Sequence, residues 1–358
     1  MIRFLLLTFL CGWVEAQQTP PAQPEGTLPK LSITVQNVVA PVWVYDEKGG
    51  YVNGLRPDQF HLYDNGKEQN LKVDESFEPI SMVILLQANA AVEHMLPAVA
   101  KIGNMIGPLI IGDRGEAAVV AYDHRLRTLQ EFTSDPDKIT AAVKKIYPGS
   151  SSNRVVDAYE EATRMLRTRP PARRRIILMI GEKRDIGSEA RGRETLINMQ
   201  LANITVYSVD MSRLLNILNA PTPDIRPDTR QTTGVPMPSG VPATPTTVMQ
   251  TYGTDGNSLQ FMPLLIEIYK DAKSIFKSNP VTVFTKGTGG TEYSFYRGHG
   301  LEQAIEDIGE QVRSEYMLSY NPNNQEEGGF HAITVAVESP LAKRVQTRPG
   351  YWLAARNQ

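Results

Sequence analysis

The sequence has a single cysteine, Cys11, which lies in an apolar run near the N-terminus (residues 4–13). If that run is removed on export, the mature chain contains no thiol. Disulfides, cysteine-based zinc sites and cysteine nucleophiles are then excluded together. A chain of 358 residues builds a core that is large enough to be stable without disulfides.

The sequence also lacks a surplus of charge, because 37 Lys and Arg residues face 39 Asp and Glu residues. This balance argues against nucleic acid or an anionic membrane as a partner and leaves a protein partner as the expectation. The local exception is a group of arginines, for which we favour a solvated loop over an anion site: Arg167, Arg169, Arg173, Arg174 and Arg175.

No hydrophobic run reaches the roughly 20 residues of a membrane span, so we expect no transmembrane span in the mature chain. The run at residues 4–13 follows Arg3 and precedes Val14-Glu15-Ala16, which indicates a signal peptide over residues 1–16. We expect an exported protein in the periplasm, the outer envelope or the medium. An uncleaved anchor is the alternative, whereas a lipoprotein is disfavoured because Leu10 precedes Cys11.

Motifs of catalysis are missing as well. There is no Gly-x-Ser-x-Gly elbow, no His-Glu-x-x-His pair and no Lys-Ser/Thr after the glycines at 287–290. The histidines are scattered, at His61, His94, His124, His299 and His331. We therefore expect a non-enzyme, with a hydrolase that uses an unrecognised site as an alternative.

Patterning divides the chain into several parts. Residues 17–30 are rich in Pro and Gln and predict a disordered leader. Residues 31–79 predict a β element with a hairpin turn at Asn65-Gly66. From residue 80, buried strands at 82–86, 117–122, 176–180 and 204–209 alternate with helices at 94–109, 135–146, 155–166 and 189–202. This alternation predicts an α/β fold with a doubly wound, mostly parallel sheet.

The last third is less regular. Residues 219–256 are rich in Pro and Thr, and we predict a disordered insertion there, with a partner-binding loop as the alternative. A helix at 259–276 and a strand at 281–284 complete an α/β domain over residues 80–300. Residues 301–353 predict a helix (301–313) and a β meander (316–320, 330–337, 344–347). The meander and the N-terminal β element would form a small accessory β subdomain.

The order and spacing of several local signatures resemble the von Willebrand factor A domain, in its acidobacterial-type exported form. The resemblance covers residues 33–351 and is carried by Val52-Asn53-Gly54-Leu55, Gly112-Asp113-Arg114, Val155-Val156-Asp157-Ala158, Ile204-Thr205-Val206-Tyr207, Arg313-Ser314-Glu315-Tyr316 and Pro349-Gly350-Tyr351. It implies a divalent cation held by three loops at the carboxyl ends of the strands, with loop sequences Asp-x-Ser-x-Ser, a Thr, and Ser-Asp-Gly.

This chain departs from that pattern in each loop. Gln87, Asn89 and Ala91 stand at the Asp-x-Ser-x-Ser positions, and Asn153 stands at the Thr position. Glu182 replaces the Asp of the third loop. In place of its Gly the third loop has two cations, Lys183 and Arg184. We therefore predict a degenerate site without metal, in which the amide side chains hydrogen-bond the loops together.

Three functions are compatible with this sequence. The first is metal-free protein binding on a rim of Gln87, Asn89, Ala91, Asn153, Glu182, Lys183 and Arg184. The second keeps Mg²⁺ or Mn²⁺ for adhesion, with Glu182, Asp185, Ser151 and Ser152 as ligands, Ser150 lying beside them. The third is a structural role in the cell envelope, with the β subdomain as the interface.

Overall fold

The structure, a computed structural model, describes residues 37–74, 79–211, 279–294 and 300–353. The predicted signal peptide, the leader, the Pro/Thr-rich insertion and the helix at 259–276 lie outside the described residues. So does His299.

The described residues form fourteen strands and six α-helices. The strands are β1 (Val38–Tyr45), β2 (Phe60–Asp64), β3 (Lys67–Glu68), β4 (Leu71–Asp74), β5 (Ile80–Gln87), β6 (Glu116–Tyr122), β7 (Leu126–Thr133), β8 (Arg174–Gly181), β9 (Ile204–Asp210), β10 (Glu292–Ser294), β11 (Tyr316–Tyr320), β12 (Gly329–Val337), β13 (Arg344–Thr347) and β14 (Gly350–Leu353). The helices are α1 (Leu96–Ile106), α2 (Pro136–Lys144), α3 (Val155–Arg167), α4 (Gly192–Leu201), α5 (Pro280–Gly287) and α6 (Gly300–Arg313).

The central sheet has six strands in the order β10-β9-β8-β5-β6-β7. All neighbours are parallel except β7, which pairs antiparallel with β6 at one edge. One face packs on α1, α2 and α6, and the other on α3, α4 and α5. Strands that are covered on both faces need continuous apolar runs, and the buried strands were predicted from these runs. The doubly wound α/β fold class is confirmed.

Residues 281–284 form part of helix α5, so the predicted strand is wrong. A short apolar run has no period that separates a buried strand from a buried helix. Pro280 at the first helical turn already has the helical φ, and Val281, Val283 and Phe284 are all buried. Three strands were not predicted: β7, whose residues alternate between exposed and half-buried, the short β10, and β14 at the end of the described chain.

The flanks of the chain form two four-stranded antiparallel sheets, β13-β1-β11-β4 and β14-β12-β2-β3. Each contains strands from both flanks, which confirms the accessory β subdomain. The prediction of a C-terminal β meander is wrong, because β11 and the next strand, β12, lie in different sheets. The predicted hairpin turn joins β2 to β3, with Asn65 and Gly66 at φ of 49° and 78°.

A buried carboxylate fastens the two sheets of the β subdomain to each other. Asp64 on β2 accepts hydrogen bonds from Tyr320 on β11 (2.9 Å) and from Tyr351 on β14 (2.8 Å). It also lies 2.7 Å from Nδ1 of the buried His331. Burial raises the pKa of Asp64, but the hydrogen bonds from His331, Asn324, Tyr351 and Tyr320 outweigh it and hold the pKa below its usual value.

The β subdomain is anchored to the α/β unit by a tryptophan. Trp43 on β1 is fully buried, donates from Nε1 to the carbonyl of Gln311 on α6 (2.8 Å) and meets the ring of Tyr207 edge-on at 6.4 Å. It belongs to the same apolar cluster as the strands of the central sheet. The two parts therefore share a core.

Most of the predicted arginine cluster is not a solvated loop. Arg169 binds Glu116 through two hydrogen bonds of 2.8 Å, and Arg173 donates to the Ser81 hydroxyl at 2.7 Å. Arg174 pairs with the buried Glu315, and Arg175 donates to the carbonyls of Ala202 and Arg169. These arginines pair charges and complete hydrogen bonds at the amino ends of the strands.

One helical run among the described residues, Ala90–Ile111, is long and apolar enough to cross a membrane, with a mean hydropathy of 1.3. It comprises a 3₁₀ turn, α1 and a π-helical turn. Val92, Val99, Ile102 and Ile106 on this run are buried in the cluster that covers the central sheet. This packing is that of a core helix.

Candidate binding site at the carboxyl ends of the strands

Three loops meet where β5 and β8 end, the point at which the strand order reverses and open α/β sheets bind their ligands. The first loop follows β5 and begins at Gln87. The second lies between α2 and α3 and contains Asn153. The third follows β8 and contains Glu182. The structure thus brings together the residues that the sequence placed in the candidate site.

Gln87 joins the first loop to the third. Its amide nitrogen donates to Asn89 Oδ1 at 2.9 Å and to Glu182 Oε2 at 2.8 Å. Its amide oxygen accepts from the backbone N–H of Glu182 at 2.5 Å. The side chain is 1% exposed. One buried amide therefore uses both of its donors and its acceptor to hold two loops together.

The absence of a side chain at Gly181 makes room for this link. A Cβ at Gly181 would lie 2.6 Å from both Gln87 Oε1 and Tyr122 Oη, which is closer than carbon and oxygen can approach. The end of β8 therefore requires glycine wherever Gln87 and Tyr122 occupy their present positions.

Asn153 joins the second loop to the third. Its backbone forms a two-way bridge with Ile186, with N···O distances of 3.2 and 2.7 Å, and its amide nitrogen donates to the carbonyl of Arg184 at 2.8 Å. Ser152 adds a hydrogen bond from its hydroxyl to the carbonyl of Ile186 at 2.7 Å. The carbonyl of Ser150 accepts from Ala90 and ties the second loop to the first.

Asp185 closes the amino end of α3 from the third loop. One carboxylate oxygen accepts from the N–H groups of Val155 (2.8 Å) and Val156 (3.2 Å), which have no partner within the helix. Asp157 on α3 reciprocates by accepting from the N–H groups of Glu189 and Ala190 at 3.0 and 2.7 Å. The third loop is therefore locked to α3 from both sides.

Lys183 does not contribute free charge to the rim, contrary to the prediction. Its ammonium pairs with Glu292 on β10 and with Asp210 at the end of β9. Burial alone would lower the pKa of Lys183, but these two carboxylates raise it above its usual value, so the side chain is charged. Arg184 is exposed, as are Ala91 and Ser151.

The divalent cation that the resemblance implies does not fit these residues. Glu182 Oε2 already accepts from the amide nitrogen of Gln87, and one Asp185 carboxylate oxygen already accepts from the N–H groups at the start of α3. Three side-chain oxygens near the loops are buried without a hydrogen-bond partner. Tyr122 Oη and Asn153 Oδ1 are neutral, and Asp123 Oδ2 is paired with the Arg127 guanidinium at 3.6 Å, whereas Mg²⁺ demands an octahedral oxygen set. Within the described ranges, no group of three or more His, Cys, Asp or Glu is placed to hold a metal.

Three exposed apolar residues around these loops were not predicted from the sequence. Leu126 opens β7 opposite Tyr122, Tyr147 lies in the second loop and Ile186 lies in the third. The Arg127 guanidinium stacks 4.1 Å from the Tyr147 ring centre and donates to its carbonyl. The only available signal was the presence of a large apolar residue in an otherwise polar loop.

Comparison with known proteins gave matches to solved structures only. No protein-family model matches the chain, and no curated protein matches it. The structure is similar to BatB, a conserved hypothetical protein of Bacteroides thetaiotaomicron (TM-score 0.32, 16% identity, 37% of this chain and 66% of that one). It is also similar to the SpRpn10 VWA domain (TM-score 0.33, 15% identity, 37% of this chain and 75% of that one).

A third similar structure is the vWF domain of the type V pili tip protein Mfa5 of Porphyromonas gingivalis (TM-score 0.28, 15% identity, 30% of this chain and 39% of that one). The chain therefore spans 39% to 75% of these three relatives. These likenesses concern the fold alone.

Proposed function

Starting from the von Willebrand factor A-like fold of the α/β unit, we propose that this chain is an exported, non-catalytic module that binds a protein partner without metal. The binding face is the carboxyl end of the central sheet. We call the face formed by Leu126, Arg127, Tyr147, Arg184 and Ile186 the loop face.

The placement of exposed apolar residues carries this proposal. Four large apolar side chains are exposed among the described residues, and three of them, Leu126, Tyr147 and Ile186, lie on the loop face. They are 37%, 56% and 44% exposed. Tyrosine and arginine are the residues that interfaces use most as anchors, and Tyr147 and Arg127 are stacked on each other.

We propose binding without metal because of the Gln87 link, the hydrogen bonds that join Gln87 to Asn89 and Glu182. The atoms that would receive a cation are already joined by an amide whose hydrogen bonds are all made. A face held in shape by protein atoms is preorganised, and preorganisation lowers the entropic cost of binding. Export is supported by the N-terminal sequence.

Capture of a partner by the tagged full chain, from the envelope and medium fractions of the cells that produce it, tests the proposal. We expect the same captured protein in EDTA and in millimolar Mg²⁺, and its loss with the double variant Tyr147→Ser, Ile186→Ser. Leu341, which is 63% exposed in the β subdomain, provides the matched control. Leu341→Ser should capture normally, since isolated surface changes shift stability by no more than about 0.5 kcal/mol.

Two results contradict the proposal. Capture that disappears in EDTA supports the metal-dependent alternative. Capture that is lost with Leu341→Ser and retained by the double variant places the interface on the β subdomain, as the structural role in the envelope requires.

A further inference from the structure

The opposite end of the central sheet has a cleft that the loop face does not use. It has a volume of about 480 Å³ and lies between the β subdomain and the α/β unit. Its lining includes Ile80 and Arg174, the first residues of β5 and β8, so it opens at the amino ends of the strands. A cleft of 300–1,000 Å³ at a boundary between two structural parts is a common place for a small ligand.

The walls of the cleft are mostly apolar. Ile80, Ile110, Ile111, Val312 and Tyr316 line it, and each is almost fully buried. Because they come from β5, the turn after α1, the end of α6 and β11, the cleft exists only when both parts of the molecule are folded.

Arg174 also lines the cleft. One nitrogen of Arg174 donates to the Val312 carbonyl at 3.0 Å and pairs with Glu315, so the group is fixed in place. Its Nε is buried and has no hydrogen-bond partner. A buried N–H without an acceptor costs free energy, and a ligand oxygen would remove that cost.

The charges around the cleft favour an anion. Arginines 114, 174 and 313 line it, against the carboxylates Asp113 and Glu315, and Glu315 is already paired with Arg174. Hydrogen bonds from a guanidinium to a carboxylate are stronger than those to a neutral oxygen. An apolar wall with one fixed cationic donor fits a molecule that has an apolar body and a single carboxylate.

We propose that this cleft is a binding site for a small monocarboxylate with an aromatic or branched apolar body, with Arg174 as the group that receives the carboxylate. The site lies at the other end of the sheet from the loop face and is independent of it.

Calorimetry and thermal unfolding of the full chain with 2-naphthoate, and with the neutral isostere 2-naphthamide, test the site. We expect 2-naphthoate to bind and to raise the Tm, and 2-naphthamide to bind about tenfold more weakly or not at all, as loss of a charged hydrogen bond predicts. Arg174→Lys keeps the charge but removes the unpartnered Nε, and it should weaken 2-naphthoate selectively.

A blocking variant keeps the test independent of Arg174. Asn53 is an exposed residue of the lining, and Asn53→Trp should abolish binding by filling the cleft. Lys72→Trp, at an exposed position on β4 outside the lining, is the control and should bind normally. Equal affinity for the acid and the amide, no binding of either at millimolar concentration, or unchanged binding by Asn53→Trp would each overturn the proposal.

Discussion

At the scale of single residues, one amide links the first loop of the candidate site to the third. Gln87 provides two N–H groups and one carbonyl, and the loops offer two acceptors and one donor in matching positions. A carboxylate in the same place would face Glu182 with two negative charges and no donor between them. A glutamine has an NH₂ group where a glutamate has a charged oxygen. The carboxylate needs a cation beside Glu182, whereas the amide does not.

This difference predicts how metal affects stability. Wild-type protein should show the same Tm in EDTA and in millimolar Mg²⁺ or Mn²⁺. The triple variant Gln87→Asp, Asn89→Ser, Ala91→Ser should be less stable in EDTA and should gain Tm on addition of Mg²⁺, because a ligand at 100 times its Kd adds about 2.7 kcal/mol. A wild-type gain that Glu182→Ala abolishes would mean that the native site binds metal.

The link itself should be measurable without metal. Gln87→Ala leaves Glu182 and Asn89 without their buried partner and should lower the free energy of unfolding by about 1–3 kcal/mol. Gln303→Ala is the control, since Gln303 is exposed on α6 and donates to Asp307, one turn along the same helix. Equal effects of the two changes in urea unfolding would show that the Gln87 link does not stabilise the loops.

Asp64 predicts a pH dependence of stability. Its folded pKa lies below the unfolded value of about 3.9, so its contribution is complete above that value and is lost as pH falls through the folded pKa. Asp64→Asn should therefore be less stable than wild type at pH 7. The difference between their free energies of unfolding should become smaller below about pH 4. Asp113→Asn, at an exposed position, should show no gap at pH 7 in the same urea titrations.

At the scale of elements, the sequence predicted the features that depend on neighbouring residues, such as a helix start or a buried strand. The predicted helix at 135–146 starts with Asp135, a residue type that favours the position before a helix, and its carboxylate accepts from the N–H groups of Asp137 and Lys138 at the start of α2. The buried strands were predicted because burial on both faces demands an unbroken apolar run. Helix α5 and strand β7 were not predicted, because α5 is too short to show a period and β7 is half exposed at an edge.

Phe284 tests the assignment of α5 as a core helix. Its ring packs against Tyr159 on α3, with ring centres 4.7 Å apart, and is fully buried. Phe284→Ala should lower the free energy of unfolding by about 3–5 kcal/mol, as for other buried phenylalanines. The half-buried Phe330 is the matched control, and Phe330→Ala should cost clearly less. A small effect of Phe284→Ala would place α5 outside the core.

The candidate site was predictable only where its residues lie at a fixed spacing from the end of a strand or, for Asn153, from the start of α3. Gln87, Asn89 and Glu182 could be found by counting from the ends of β5 and β8. The partners of Lys183 could not, because Glu292 is more than a hundred residues further along and belongs to a strand that was not predicted. The exposure of Tyr147 and Ile186 depends on how three loops meet, and the sequence of any one loop does not determine it.

At the scale of the whole molecule, the buried pair of Arg174 and Glu315 joins the α/β unit to the chain that enters β11. Burial raises the pKa of Glu315, whereas Arg174 lowers it, and the net shift is upward. Burying this pair therefore costs desolvation free energy. Removing both side chains should change the stability differently from removing only one of them.

A double-mutant cycle measures this junction. Arg174→Met leaves Glu315 buried without a counter-charge and should cost about 3–5 kcal/mol, whereas Arg174→Met with Glu315→Leu should lie much closer to wild type. The measurement is the free energy of unfolding in urea for the two single variants and the double variant. Strictly additive effects would show that the two side chains do not interact.

The interleaving of early and late strands in the β subdomain has a consequence for the biogenesis of the protein. Asp64 and the Tyr320 hydroxyl that it binds are 256 residues apart, and β1 and β2 pair only with strands from the last part of the chain, apart from the two-residue β3. During synthesis or translocation, the first strands emerge as unpaired edges and wait for most of the chain to follow. Such edges invite pairing with other chains. If the chain is exported, as proposed, its first strands stay open to such pairing until the final strands have emerged.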